Sequence, residues 1–146
     1  MTTQGIIDKP VKEIMTTEVQ KVNADQELTE AQKVFAKYHI RHVPVVRHDH
    51  LIGILSLTDL QRLSFGDSFG DYESEVDDTI AEMLNIEQVM KHKPVTVSPD
   101  QTIRRVAEML TDAEFHALPV VDDDKLVGIV TTTDIIKYLL QEVDNS

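Results

Sequence analysis

The amino-acid sequence predicts an α/β (α+β) fold made of two β-α-β-β-α repeats packed with pseudo-twofold symmetry. Three observations carry this prediction. Residues 11–60 and 86–135 align without a gap at a constant offset of 75, with 13 identities. Each repeat reads as a strand, an amphipathic helix, a hairpin and a second helix. Each hairpin closes on one phrase, Gly53-Ile54-Leu55-Ser56-Leu57-Thr58-Asp59 and then Gly128-Ile129-Val130-Thr131-Thr132-Thr133-Asp134. A unit of roughly 50 residues is marginal alone, so two similar ones are expected to bury their apolar faces on each other.

The elements follow in order. Val11–Met15 reads as a lead-in turn or short helix, and Val19–Val22 as a short strand. Asn23-Ala24-Asp25 supplies helix-start signals, with Asp25 or Asn23 as the expected cap. Leu28, Ala31, Val34, Phe35 and Tyr38 then recur at helical spacing. His42–Val46 and Leu51–Ser56 are rich in β-branched residues and flank a polar turn, which predicts a hairpin. Thr58-Asp59 opens the second helix, with Thr58 as the expected cap. In the second repeat Val95–Val97 is the strand and Ser98-Pro99-Asp100 the helix start. Ile103, Val106, Met109, Leu110 and Ala113 form the apolar stripe, and Ala117–Val121 and Leu126–Thr131 flank the turn Asp122-Asp123-Asp124. Thr133–Val143 is the last helix.

The stretch 64–81 holds six acidic residues and no Lys or Arg, which reads as a solvated linker. Phe65, Phe69 and Tyr72 point to partial packing, and Thr79–Leu84 to a helical exit. The implied division is 9–62 for the first repeat, 63–83 for a partly helical acidic linker and 84–143 for the second repeat.

Composition narrows the function. The chain has 146 residues, no cysteine and a formal charge of −12. Disulfides, thiolate metal sites and cysteine nucleophiles are thereby excluded. The negative charge argues against non-specific binding to nucleic acid or anionic membrane. No apolar run approaches the ~20 residues that span a bilayer. The start, Met1-Thr2-Thr3-Gln4-Gly5, lacks the pattern of a signal peptide, so cytoplasmic residence is expected.

The repeated phrase carries the chemistry. A hydroxyl residue ends a strand and an Asp follows three residues later in the first helical turn. Backbone amides at a helix start favour an anion. Ser56 and Thr131 can donate a hydroxyl to a phosphate oxygen, and an ionised Asp accepts from ribose hydroxyls. Together these make a nucleotide monophosphate half-site. The plainer reading is that the hydroxyl and the carboxylate cap the helix.

The chain resembles the cystathionine β-synthase (CBS) domain family over both repeats. The marks are Ile14-Met15-Thr16 and Val89-Met90, His42-Val43-Pro44-Val45-Val46 and Ala117-Leu118-Pro119-Val120-Val121, and the two Gly-to-Asp phrases. The resemblance implies a disc-like tandem module whose clefts between the repeats hold adenosine nucleotides and which regulates something else. Carried over by position, Asp59 and Asp134 hold ribose hydroxyls, and Ser56 and Thr131 touch phosphate, with Thr58 and Thr133 in the same phrases. Arg41, His42 and His116 reach phosphate. Thr17-Glu18-Val19 and Lys93-Pro94-Val95 border the base. Ala117 replaces His42 in the second repeat, and His116, with a pH-dependent charge, replaces the always-charged Arg41, so the two sites differ.

The expected function is therefore a regulatory module that binds AMP, ADP or ATP and signals to an unidentified protein. It needs no cofactor and carries no catalytic nucleophile–base pair. The alternatives are a ligand-free interaction module, a binder of S-adenosylmethionine or a dinucleotide, and a small enzyme or metal-dependent sensor. His48 and His50, and Asp122 to Asp124, read better as polar turns than as metal sites. Ile135, Ile136, Tyr138, Leu139, Leu140 and Val143 cover more than one face of the last helix. This predicts a homodimer through that helix and its counterpart around Leu57, Leu60 and Leu63.

Overall fold

A computed structural model describes residues 3–63, 83–112 and 115–145. The expectations for the acidic linker 64–81, for Phe65, Phe69 and Tyr72, for a helix start at Thr79 and for Ala113 lie outside the described residues.

The described elements are α1 (Thr3–Ile7), a 3-10 turn (Val11–Glu13), β1 (Val22–Asn23), α2 (Leu28–Tyr38), β2 (His42–Arg47), β3 (His50–Ser56) and α3 (Leu57–Gln61). They continue with α4 (Ile86–Val89), β4 (Lys91–His92), α5 (Ile103–Leu110), β5 (Ala117–Asp122), β6 (Lys125–Thr131) and α6 (Thr132–Asp144). The β-α-β-β-α order holds in the first repeat. In the second, the expected strand at Val95–Val97 is a single parallel bridge between Val97 and Val120.

The chain divides into two compact units that cut across the repeats. A middle unit is Gln20–Pro94, and a terminal unit joins Met1–Val19 to Val95–Ser146. Each repeat body is thus completed by the lead-in that precedes the other repeat. In the middle unit β1 runs parallel to β2, β2 antiparallel to β3, and β3 antiparallel to β4, where Gly53 faces His92 and Ile54 faces Lys91. In the terminal unit β5 and β6 are antiparallel, and Thr16 of the lead-in bridges Ile129 through hydrogen bonds of 2.8 and 3.0 Å.

Burial explains why the lead-ins dock. Ile86 and Met90 lie among Leu28, Phe35, Val43, Leu55 and Leu60 in the middle core. Val11 lies with Ile103, Val106, Leu118 and Ile135 in the terminal core. Fully burying one such side chain is worth about 1.5–3 kcal/mol. The approach is close because Gly53 and Gly128 have no Cβ. A methyl group on Gly128 would stand 2.6 Å from Met15 Sδ and 3.0 Å from the Thr16 carbonyl oxygen.

Both hairpins turn on two left-handed residues, His48 and Asp49 (φ 52° and 67°) and Asp123 and Asp124 (φ 51° and 67°). This is the twist that two-residue hairpins favour. It narrows the expected four- and three-residue turns and draws Arg47, His50 and Asp122 into the strands.

Three helix starts differ from expectation. Asn23 and Asp25 do not cap α2. The Gln26 side chain accepts from the Asn23 amide at 2.9 Å, closing a turn, and the helix begins later, after Glu27, without a side-chain cap. Ser98-Pro99-Asp100 likewise forms a turn, and Thr102 caps α5 by accepting from the Arg105 amide. Ser56, not Thr58, caps α3. Ser56 keeps extended backbone (φ −108°, ψ 156°), as a cap must, whereas Thr58 is already helical.

Candidate functional site

The strand-to-helix turn is built identically in both repeats. Ser56 Oγ accepts from the Asp59 amide at 3.1 Å, and Asp59 Oδ2 accepts from the Ser56 amide at 3.0 Å. Thr131 Oγ1 accepts from the Asp134 amide at 3.2 Å, and Asp134 Oδ2 accepts from the Thr131 amide at 3.0 Å. Each is a complete capping box. The next amide is also engaged: Leu57 N–H donates to the Arg41 carbonyl at 2.8 Å, and Thr132 N–H to the His116 carbonyl at 3.4 Å.

These bonds decide what the turn can offer a ligand. Two of the first three helical amides are committed inside the protein, so the helix start is a weaker anion site than its position suggested. The Ser56 and Thr131 hydroxyls accept through oxygen and keep their hydrogens to donate. Each Asp uses Oδ2 in the cap and keeps lone pairs on Oδ1. Asp59 is only 11% exposed, and the Arg62 guanidinium lies 4.0 Å from its Oδ1.

The remaining candidates fall into place by unit. Arg41, His42, Ser56, Thr58 and Asp59 share the middle unit, and Val19, Val95, His116, Thr131, Thr133 and Asp134 the terminal unit. Thr58 and Thr133 are exposed beside the caps. Arg41, His42 and His116 are engaged in interactions within the protein. Val19, half-buried, follows the Thr16–Ile129 bridge, so the first lead-in is carried to the phrase of the second repeat. Lys93-Pro94 follow the pairing of Lys91 with Ile54 and His92 with Gly53, an antiparallel register that runs away from Ser56.

Asp134 also lines a cleft of about 380 Å³ with Lys9, Glu13, Lys137, Tyr138 and Glu142. Lys137 stands three residues after Asp134, as Arg62 does after Asp59. Sequence reasoning passed over this pair, although recurrence of a cation at one offset in both repeats was a readable signal. The Tyr138 hydroxyl donates to the Ile6 carbonyl. Burial, then the charges of Glu142 and Glu13, push its pKa above the ordinary tyrosine value. In the middle unit Glu87, by hydrogen bond and charge, holds the Arg47 guanidinium above its ordinary value, with Asp25 adding to it.

His48 lies in the hairpin turn and His50 opens β3, both exposed. Among the described residues no three His, Asp or Glu side chains gather as a metal site. No helix of the described residues is long and apolar enough to cross a membrane.

Known proteins share this architecture. MJ1225 of Methanocaldococcus jannaschii is 26% identical over 132 residues, which cover 88% of this chain and 46% of that protein. Its crystal structure matches with a TM-score of 0.78 at 25% identity, covering 90% of this chain and 48% of that one. CBSX2, a CBS-pair protein from Arabidopsis thaliana solved in complex with AMP, matches at a TM-score of 0.77 and 25% identity over 92% of this chain and 98% of that one. The CBS domain pair of MJ0100, solved with 5′-methylthioadenosine and S-adenosyl-L-methionine, matches at 0.72 and 26% identity over 91% and 97%. The chain spans 46% of MJ1225 and 38% of MJ1232, less than half of these curated relatives. The family model for the CBS domain matches twice, at residues 11–66 and 86–141. With the fold, the twin capping turns and both matches in agreement, the chain belongs to the CBS domain family and carries two copies of the domain.

Proposed function

We propose that this chain is a ligand-sensing regulatory module that binds an adenine nucleotide of the AMP, ADP or ATP type and passes its occupancy to a partner protein. The observation that carries this reading is the repeated turn in which a hydroxyl and a carboxylate, three residues apart, hold the same geometry twice. Asp59 and Asp134 accept ribose hydroxyls through Oδ1. Ser56 and Thr131 donate to phosphate, with Thr58, Thr133, Arg41, His42 and His116 around it and Val19 and Val95 beside the base. The complex of CBSX2 with AMP supports the nucleotide.

The role is regulatory and requires neither catalysis nor a resident cofactor. A ligand shifts a conformational equilibrium only by its differential affinity for the two states. The module works in the cytoplasm as a homodimer joined through its helices, and its charge of −12 disfavours nucleic acid and anionic membrane as partners. A second reading, S-adenosylmethionine or 5′-methylthioadenosine as ligand, is favoured by the MJ0100 complex and uses the same ribose contacts.

The test is calorimetric titration of ligand-stripped protein with AMP, ATP, S-adenosylmethionine and NADH. Asp134→Asn and Asp59→Asn keep an amide oxygen for the cap but remove the charge. Each is expected to weaken its own site by ~1.5–3 kcal/mol, on the order of ten- to a hundred-fold, with little change in thermal midpoint. Parent-like binding by the double variant overturns the ribose assignment. No binding by the parent moves the reading to a ligand-free interaction module.

A further inference from the structure

The two lead-ins are nearly interchangeable in their apolar residues. Val11, Ile14 and Met15 correspond to Ile86, Val89 and Met90. The pairing of Thr16 with Ile129 has its equivalent in that of Lys91 with Ile54. Burial therefore scarcely distinguishes the observed exchange from an arrangement in which each repeat is closed by its own lead-in. Chain length does not forbid that alternative. The six steps from Thr16 to Val22 reach about 20 Å when extended. Three strand spacings, from the position of β1 to that of β4, are about 14 Å.

Charge does distinguish them. In the middle unit the lead-in residue Glu87 hydrogen-bonds Arg47, whose guanidinium lies 3.5 Å from Asp25. In the terminal unit the lead-in residue Lys12 lies 3.3 Å from Asp100, the equivalent of Asp25. The positions equivalent to Glu87 and Arg47 carry Lys12 and Asp122, both reversed in sign. With each lead-in on its own repeat, Lys12 would meet Arg47, and Glu87 would meet Asp100 with Asp122 in place of Arg47. The Glu87 contact would become repulsive, facing two carboxylates, and Lys12 would compete with Arg47 for Asp25.

We propose that Lys12, Glu87, Arg47 and Asp122 form a charge code that directs each lead-in to the body of the other repeat. Half-exposed ion pairs contribute little to stability one by one. Their effect here is selection, which depends on the difference between two arrangements.

The chain has no cysteine, so engineered pairs report the arrangement directly. Thr16→Cys with Ile129→Cys crosslinks the exchanged form, and Thr16→Cys with Ile54→Cys crosslinks the alternative. With native charges only the first pair is expected to close. Lys12→Glu combined with Glu87→Lys is expected to lower that yield several-fold, to bring out the 16–54 crosslink, and to drop the thermal midpoint by about 2–4 °C. Adding Arg47→Asp and Asp122→Arg mirrors the code and is expected to restore the native pattern and midpoint. An unchanged crosslink pattern in the doubly reversed chain overturns the proposal. So does a doubly reversed chain that unfolds and is not rescued by the quadruple variant.

Discussion

At Gly128 one methyl group is enough to disturb a lead-in. The Met15 side chain can swing aside, but the Thr16 carbonyl, 3.0 Å from the added carbon, is pinned by the paired bonds to Ile129. Gly128→Ala is expected to cost about 1–3 kcal/mol, read as a lower urea midpoint at unchanged slope. A midpoint equal to that of the parent would mean that the lead-in is not packed against this strand. The candidate residues stood out at this scale because repetition lifted Ser56, Asp59, Thr131 and Asp134 above chance, and the structure shows both pairs as capping boxes. What the cap leaves over was not legible. A hydroxyl-x-x-Asp spacing specifies a cap, and only the placed oxygens show that Oδ2 is the one each carboxylate uses for it. The cap itself was misplaced by two residues, since spacing does not reveal where extended backbone ends.

Helix α6 was readable almost to its ends, because its apolar residues recur over three turns. What it buries was not readable. Ile135 and Tyr138 face the core, while Ile136, Leu140 and Val143 are 52%, 59% and 69% exposed. The supposed counterpart differs: Leu60 is buried at 2% and belongs to its own core, with Leu57 and Leu63 partly packed against it. The proposed dimer would therefore draw mainly on α6. Leu140→Lys is expected to give a monomeric mass in sedimentation at tens of micromolar, with stability at high dilution unchanged. A parent that is already monomeric there would remove the dimer from the reading. The shortest elements were the hardest to read for a physical reason: β4 was not expected, and the strand expected over Val19–Val22 overlaps β1 only at Val22. β1 and β4 are two residues each, and their partners lie far away in the chain, so periodicity has nothing to act on.

For the molecule as a whole, Tyr138 ties the last helix to α1 through the Ile6 carbonyl. Its folded pKa is raised, so the folded chain holds this proton more tightly than the unfolded chain does. That contribution is complete below the ordinary value of 10.0 and is lost as pH rises through the raised value. Chemical denaturation is expected to show stability falling above about pH 10, and Tyr138→Phe to remove part of that fall. An identical alkaline slope in the variant would exclude Tyr138 as the cause. The repetition of the fold was legible because 13 identities survive between the repeats. The exchange of lead-ins was not, because their similarity hides which body each one joins.

That exchange also sets an order of events during synthesis. The middle unit is one unbroken stretch and has all its parts once Pro94 has left the ribosome. The terminal unit cannot close until the last strands and helix emerge, and its two pieces are separated by the entire middle unit. Bringing such distant segments together across free coil carries a loop-closure cost, which shrinks once the intervening residues have already condensed and fixed the spacing of their own ends. The lead-in up to Val19 therefore waits for partners that emerge only after the whole middle unit, an interval in which its apolar side chains are open to misassembly.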